Sequence, residues 1–396
     1  MKYNFDEIVS REGTYSLKYV GLKGRNPLKD QEIIPLTLAD MDLPTADSIL
    51  DALRATVDFR MFGYTRANCT PEYGRAVCKW WKKRFDTDLN PDDIIFSPGT
   101  CAAIRAAIEI FSRPGDGIII QRPVYGHFSE DIEKLHRHPV SSRLISDSSG
   151  NYTMDFDDLE RKCSDPNNPI MILCSPANPV GRVWTVEELQ KVAEITQRHS
   201  TVLISDEVHC DIVRKGVKHT PILKAVENTS NILMMTAINK TFNLAGLACS
   251  NAIIPDPALK QRFKKHFGLK LANPFSISAL IAAYNSPDAE EWLGELNTYI
   301  DGNLQFVKDF LAEKMPWVKT HIPQGAYFMW LDFCASGLTG AEIHERIYDK
   351  ARVALQDGTV HDPEGGEFFQ RICVPCARSV LEEALNRIYK QFSDIC

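Results

Sequence analysis

Between residues 93 and 237 the chain carries five short apolar runs: DIIFS (93–97), GIIIQRP (117–123), IMILCSP (170–176), TVLISDE (201–207) and ILMMTA (232–237). They are β-branched and apolar at odd and even positions alike, so a strand built from them has two apolar faces. The segments between them, such as TCAAIRAAIEIF and TVEELQKVAEITQRH, have helical periodicity. Strands apolar on both faces and alternating with helices predict an α/β fold, with a mainly parallel sheet covered by helices on each side. A set of buried helices is the competing reading, but the runs are too short for that and end in polar or turn residues.

After about residue 275 helical patterns dominate, with a long segment from Ala289 to Lys314. The apolar runs AYFMWLDF (326–333) and RICVP (371–375) follow, around a helix near 340–352, and a last helix starts at Ser379. This predicts a smaller α+β domain. The expected organisation is an N-terminal segment, 1–47, packing on the small domain, a large domain, 48–285, and a small C-terminal domain, 286–396.

Composition narrows the function classes. Of 396 residues, 45 are Lys or Arg and 52 are Asp or Glu, a net charge of −7, while 44% are hydrophobic. That describes a globular chain able to bury a core, without the basic face that nucleic acid or an anionic membrane requires. No apolar stretch is long enough to span a bilayer, and MKYNFDEIVSREG lacks a secretory h-region. Eleven cysteines without paired spacing are the usage of a reducing cytoplasm. Cys373 and Cys376 form a CxxC pair, read here as buried small residues, and no metal site is expected.

Ligands of parallel sheets bind at the carboxyl ends of the strands. Here those ends carry Ser97-Pro98-Gly99-Thr100, Pro123-Val124-Tyr125, Ser175-Pro176-Ala177-Asn178-Pro179, Asp206-Glu207-Val208-His209 and Asn239-Lys240. A lysine at a strand end tends to lose its proton when desolvated, and Asp206 closing another apolar strand calls for a cation to face. A Schiff-base lysine and an aspartate that keeps a pyridinium nitrogen protonated are the pair that pyridoxal phosphate requires. Gly99, Thr100 and Cys101 at a strand-to-helix junction offer N–H groups to a phosphate. Tyr125 can stack on a ring and Asn178 can donate an amide hydrogen. His209 reaches the same ring if a helix begins after Asp206.

In this order the residues resemble the fold-type I pyridoxal-phosphate enzymes, the aspartate aminotransferase superfamily. Within it they resemble the cystathionine β-lyase branch of cystalysin, PatB and MalY. The matching stretches include GTYSLKY (13–19), LADMD (38–42), GYT (63–65), SPANPVGRVWTVEEL (175–189), SDEVHCD (205–211), NKTFNLAGL (239–247) and QGAYFMWLDF (324–333). The resemblance implies catalytic roles for Lys240, Asp206 and Tyr125, and ring-oxygen contacts from Asn178 and His209. It also implies that Tyr64 reaches the phosphate of a neighbouring subunit in a homodimer. Arg371 would clamp the α-carboxylate of an amino-acid substrate, beside Asp40 and Met41, with Arg378 as the alternative clamp. The implied reaction is elimination across the α- and β-carbons, giving a thiol, pyruvate and ammonia. Transamination and an added MalY-like regulatory binding role are the alternatives. The chain departs from the branch at Ala177, Ala237, Asn239, Gly126 and in the loop before Arg371, which lacks the usual Phe-Gly and is one residue longer.

Overall fold

Seven strands form the central sheet of the computed structural model, which describes residues 2–11, 13–20, 22 and 33–395. They are β1 (Ile94–Ser97), β2 (Gly117–Ile120), β3 (His138–Ser141), β4 (Ile170–Cys174), β5 (Val202–Asp206), β6 (Ile232–Ala237) and β7 (Ser250–Ile253). Their spatial order is β1-β7-β6-β5-β4-β2-β3. Only β7 runs antiparallel to its neighbours. β3 and β7 have no counterpart among the five apolar runs; in β7 Ser250 and Asn251 dilute the apolar pattern, although the strand is fully buried.

Both faces of the sheet are covered, as the two-faced runs predict. Ile118, Ile120, Ile204 and Met235 pack into one apolar cluster with helix Thr100–Phe111, whereas Ile119, Leu203 and Met234 point into the other. The helices start where their local chemistry says they should. Thr185 and Glu188 form a reciprocal capping box at the start of Val186–Arg198. Ser286 accepts a hydrogen bond from the Asp288 N–H at the start of Pro287–Lys314, which has proline in its first turn.

A second, antiparallel sheet holds β8 (Phe328–Asp332), β9 (Gln356–Asp357) and β10 (Phe369–Cys373), with β10 in the middle. The N-terminal segment joins both sheets. Ile34–Pro35 pairs with Val353–Ala354, and the Leu36 carbonyl accepts from the Cys373 N–H at 2.9 Å. On the other side Asn243 brackets Met41, its Oδ1 3.1 Å from the Met41 N–H and its Nδ2 3.0 Å from the Met41 carbonyl. Residues 23–32 of the expected N-terminal segment lie outside the described residues, as does Cys396.

One local expectation is corrected. No helix follows Asp206; residues 208–211 form a turn. The Cys210 N–H donates to the Glu207 carbonyl and the Ile212 N–H to the His209 carbonyl. The Glu207 side chain draws the strand end aside by accepting from Ser205 Oγ and the Ile222 N–H, both at 2.9 Å.

Trp292 is fully buried, donates Nε1 to the Pro44 carbonyl at 3.1 Å and packs against Phe5 and Phe242. It thus joins the N-terminal segment to the chain just after Lys240. Trp292→Ala is expected to destabilise the fold by about 3–5 kcal/mol, read as a lowered urea midpoint at unchanged slope; a loss under about 1 kcal/mol would contradict this packing.

Candidate active site

Lys240 lies on the single helical turn Ile238–Thr241 that leaves β6. Its Nζ donates to the Ala39 carbonyl at 2.7 Å. Burial lowers the pKa of this amine; Cys373 and Asp40 oppose the shift and Arg371 adds to it. Asp206 ends β5, in register with Cys174 and Met235 on the neighbouring strands. The Val208 N–H donates to Asp206 Oδ1 at 3.3 Å. Burial pushes this carboxyl up to about 7, against the Val208 N–H and Lys240, with Glu207 adding to the rise. A carboxylate so buried and so thinly partnered is stable as an anion only when a further cation faces it.

The predicted residues gather around this pair. Cys101 is coupled electrostatically to both Asp206 and Lys240, and burial raises its thiol to about 11. Helix Thr100–Phe111 begins at Gly99 without any side-chain cap, so its first N–H groups are open to an anion. Tyr125 is largely buried, within electrostatic reach of Cys101, Asp206 and Arg371, and its ring packs on Phe128 and His127. His209 is buried between Tyr327 and Phe328, with its Nδ1 unpartnered. Burial, reinforced by Lys240 and Arg371, holds that imidazole well below the ordinary histidine pKa, hence neutral.

Arg371 is 1% exposed and lies 4.2 Å over the Phe328 ring. It donates to Asn178 Oδ1 at 2.9 Å and to the Thr37 carbonyl at 2.7 Å, leaving Nε unpartnered. Arg378, the alternative clamp, lies elsewhere. Its Nε donates to Asn303 Oδ1 at 2.7 Å and its guanidinium covers Phe306, at the start of the last helix.

Three predicted residues are placed differently from a simple first-contact role. The Asp40 carboxylate is taken up by Arg11, at 2.6 Å. Met41 is fully buried under the clamp of Asn243. Tyr64 is 94% exposed.

Sequence reasoning missed the supporting residues. Asp211, within SDEVHCD, accepts from Thr241 Oγ1 at 3.0 Å, from Arg84 Nε at 3.1 Å and from Trp80 Nε1 at 3.3 Å. It therefore holds the helical turn bearing Lys240 against the turn bearing His209. Lys18 is buried, with its Nζ 2.5 Å from Asp42 Oδ2 and 3.0 Å from the Asp40 carbonyl. The hydroxyl of Tyr327 is buried and unpartnered beside this group. Asp211 and Tyr327 lie inside the stretches that carry the resemblance, but nothing local in sequence reveals which neighbour each one faces.

The sequence pattern of the family described as Aminotransferase class I and II matches residues 31–388. The chain belongs to that family. Cystathionine beta-lyase PatB of Bacillus subtilis (strain 168) is 39% identical over 391 residues, 97% of this chain and 98% of the relative. Cystalysin from Treponema denticola, whose crystal structure contains a pyridoxal 5'-phosphate cofactor, superposes with a TM-score of 0.94 at 34% identity, covering 100% of both chains. The PLP-bound C-S lyase from Staphylococcus hominis gives 0.91 at 32% identity and 99% of each chain. The fold of this class I and II aminotransferase-family chain is thus the aspartate aminotransferase-like one, as the alternating strand pattern and its resemblance imply.

The raised carboxyl pKa of Asp206 has a measurable sign. Between the ordinary carboxylate value near 4 and about 7, the folded protein binds a proton that the unfolded chain does not, so stability falls as pH rises through that window. With no ligand bound, the stability of the native protein relative to Asp206→Asn should fall by ~1 kcal/mol per pH unit from about pH 4 to about pH 7. Parallel stability curves for the two proteins across that range would refute the assignment.

Proposed function

We propose that the protein is a pyridoxal-phosphate-dependent carbon–sulfur β-lyase. It acts on an amino acid bearing sulfur on its β-carbon and releases a thiol, pyruvate and ammonia. The pairing of Lys240 with an under-neutralised, buried Asp206 at neighbouring strand ends supports the cofactor, and the likeness to the cystathionine beta-lyase PatB and to the Staphylococcus hominis C-S lyase supports β-elimination over transamination. Pyridoxal phosphate, when bound, supplies an aldehyde that joins covalently to an amine and a ring that accepts electrons from the α-carbon.

The residues present fit that group. Among the described residues no cation forms an ion pair with Asp206, which would face the protonated ring nitrogen. The uncapped helix start at Gly99, with the N–H groups of Thr100 and Cys101, suits a phosphate. His209, neutral, and Asn178 suit the ring oxygen, and Tyr125 suits the ring face.

Each side chain then has a defined task. Lys240 would hold the cofactor through Nζ, and the same atom, when free, would take the α-proton of the substrate. Burial lowers the pKa of this amine, the direction that a base requires. Arg371 holds the substrate carboxylate with its planar fork, oriented from below by Phe328 and from the side by Asn178. The segment bearing Asp40 and Met41 reaches the site through its neighbour: the Ala39 carbonyl meets Lys240, while the Asp40 carboxylate is committed to Arg11 and the Met41 backbone to Asn243.

Tyr64 completes the neighbouring site in a homodimer. Phe59, Met61, Phe62 and Tyr64 are all exposed in one stretch, an apolar surface of the kind that a second copy covers. Among the described residues no helix is long and apolar enough to cross a membrane. The ten described cysteines are all free, the usage that a reducing cytoplasm favours.

Incubation with cystathionine or another S-substituted cysteine should release pyruvate with no keto acid added; turnover that appears only with a keto acceptor would assign transamination instead. Lys240→Ala should abolish borohydride-stable labelling by the cofactor and reduce turnover by at least ~10³-fold. Arg371→Lys should raise KM about tenfold or more, because a point charge replaces a two-pronged contact.

A further inference from the structure

Two departures from the branch pattern, Gly126 and the lengthened loop before Arg371, meet in space. A methyl group added at position 126 would collide with the Val360 carbonyl and side chain. The missing side chain is therefore what lets the loop 358–366 close on the Tyr125 segment. The closure is hydrogen-bonded at both edges of one residue. The Val124 N–H donates to the His361 carbonyl at 3.1 Å, and His361 Nδ1 lies 3.0 Å from the Val124 carbonyl. Arg143 holds the following residue, Asp362, from outside.

This arrangement sets the chemistry of the His361 ring. A carbonyl only accepts, so Nδ1 carries the proton and Nε2 of the neutral ring carries a lone pair. Nε2 is buried and has no partner among the described residues, in a residue 1% exposed. Burial and the Arg371 charge hold the ring neutral, with His127 acting in the same sense, against the Val124 carbonyl and Asp357. The ring also stands beside the substrate clamp. It meets Trp330 edge-on, with ring centres 5.6 Å apart, and Trp330 lies directly opposite Arg371 across β8 and β10, on the same face of that sheet.

We propose that His361 is a specificity-determining residue for the sulfur substituent of the substrate. Nε2 accepts a hydrogen bond from an N–H or O–H donor on that substituent, so donor-bearing S-substituted cysteines are preferred over their alkyl isosteres. The inference rests on the β-lyase reading and narrows its substrate class. A buried acceptor left without a donor is costly, so the site discriminates against an alkyl group of the same shape.

The test compares S-(2-hydroxyethyl)-L-cysteine with S-propyl-L-cysteine, which differ by a hydroxyl in place of a methyl. For the holoenzyme, kcat/KM is expected to favour the hydroxyethyl substrate about tenfold or more. In His361→Phe and His361→Leu the ratio should collapse to about one, with melting temperature and cofactor absorption reporting that the fold is intact. Equal kcat/KM values in the native enzyme, or an unchanged ratio in both variants, would overturn the proposal. Where the variants do not fold, the native protein still decides. L-6-hydroxynorleucine and L-2-aminoheptanoate are the carbon isosteres of the two substrates and have no leaving group. Tighter binding of the first, by cofactor absorption, supports the acceptor role, and equal affinity overturns it. Absence of thiol release from both cysteines would count against the lyase reading alone, because the binding ratio of the isosteres does not depend on elimination.

Discussion

A carboxylate placed at the end of a buried strand, with one backbone N–H 3.3 Å from it, is the constraint around which the site is organised. Removing Asp206 from water without a full complement of donors costs several kcal/mol as an anion, and its carboxyl pKa rises to about 7 in response. Such a cost is tolerated when a ligand supplies the missing cation. The neighbouring amine is disturbed in the complementary sense, since burial makes its proton easier to lose. Each group taken singly is a destabilising feature; together they suit the electron-accepting cation of the proposed function.

The surrounding structure keeps these two groups in place. Asp211 joins the Lys240 turn, the His209 turn and helix Pro71–Phe85 through Thr241, Arg84 and Trp80. Arg371 is held between the face of Phe328 and the amide of Asn178, and its β10 neighbours are paired on both sides. The N-terminal segment then adds the Ala39 carbonyl to Lys240 and an Arg11–Asp40–Lys18–Asp42 charge network behind it. Lys240 and Asp206 therefore rest at strand ends, while the loop 358–366 closes against Gly126 beside Tyr125.

Much of the fold was legible because its signals are local. The five apolar runs became strands with only small shifts of their ends, and Ser97, Asp206 and Ala237 stand at the ends where ligands bind. What could not be read was set by distant partners. β7 is a strand because β1 and β6 flank it, although its own residues are mixed. The residues after Asp206 form a turn because Glu207 bonds to Ser205 and Ile222. Arg371 and Arg378 are close in sequence and equal in charge, and only packing separates the one under Asn178 from the one on Asn303.

The order of residue types along the chain determined the layered α/β architecture and the placing of Lys240 and Asp206 at strand ends, because periodicity is a property of short segments; the family was legible only through the resemblance of its motifs. Tertiary structure alone decided which groups lose their water and which neighbours they meet. The shifts of Lys240 and Asp206, the neutral state of His209 and His361, and the closing of the 358–366 loop over Gly126 all arise from contacts between residues far apart in sequence. Desolvation acts through the whole environment of a group, and no single segment carries that information.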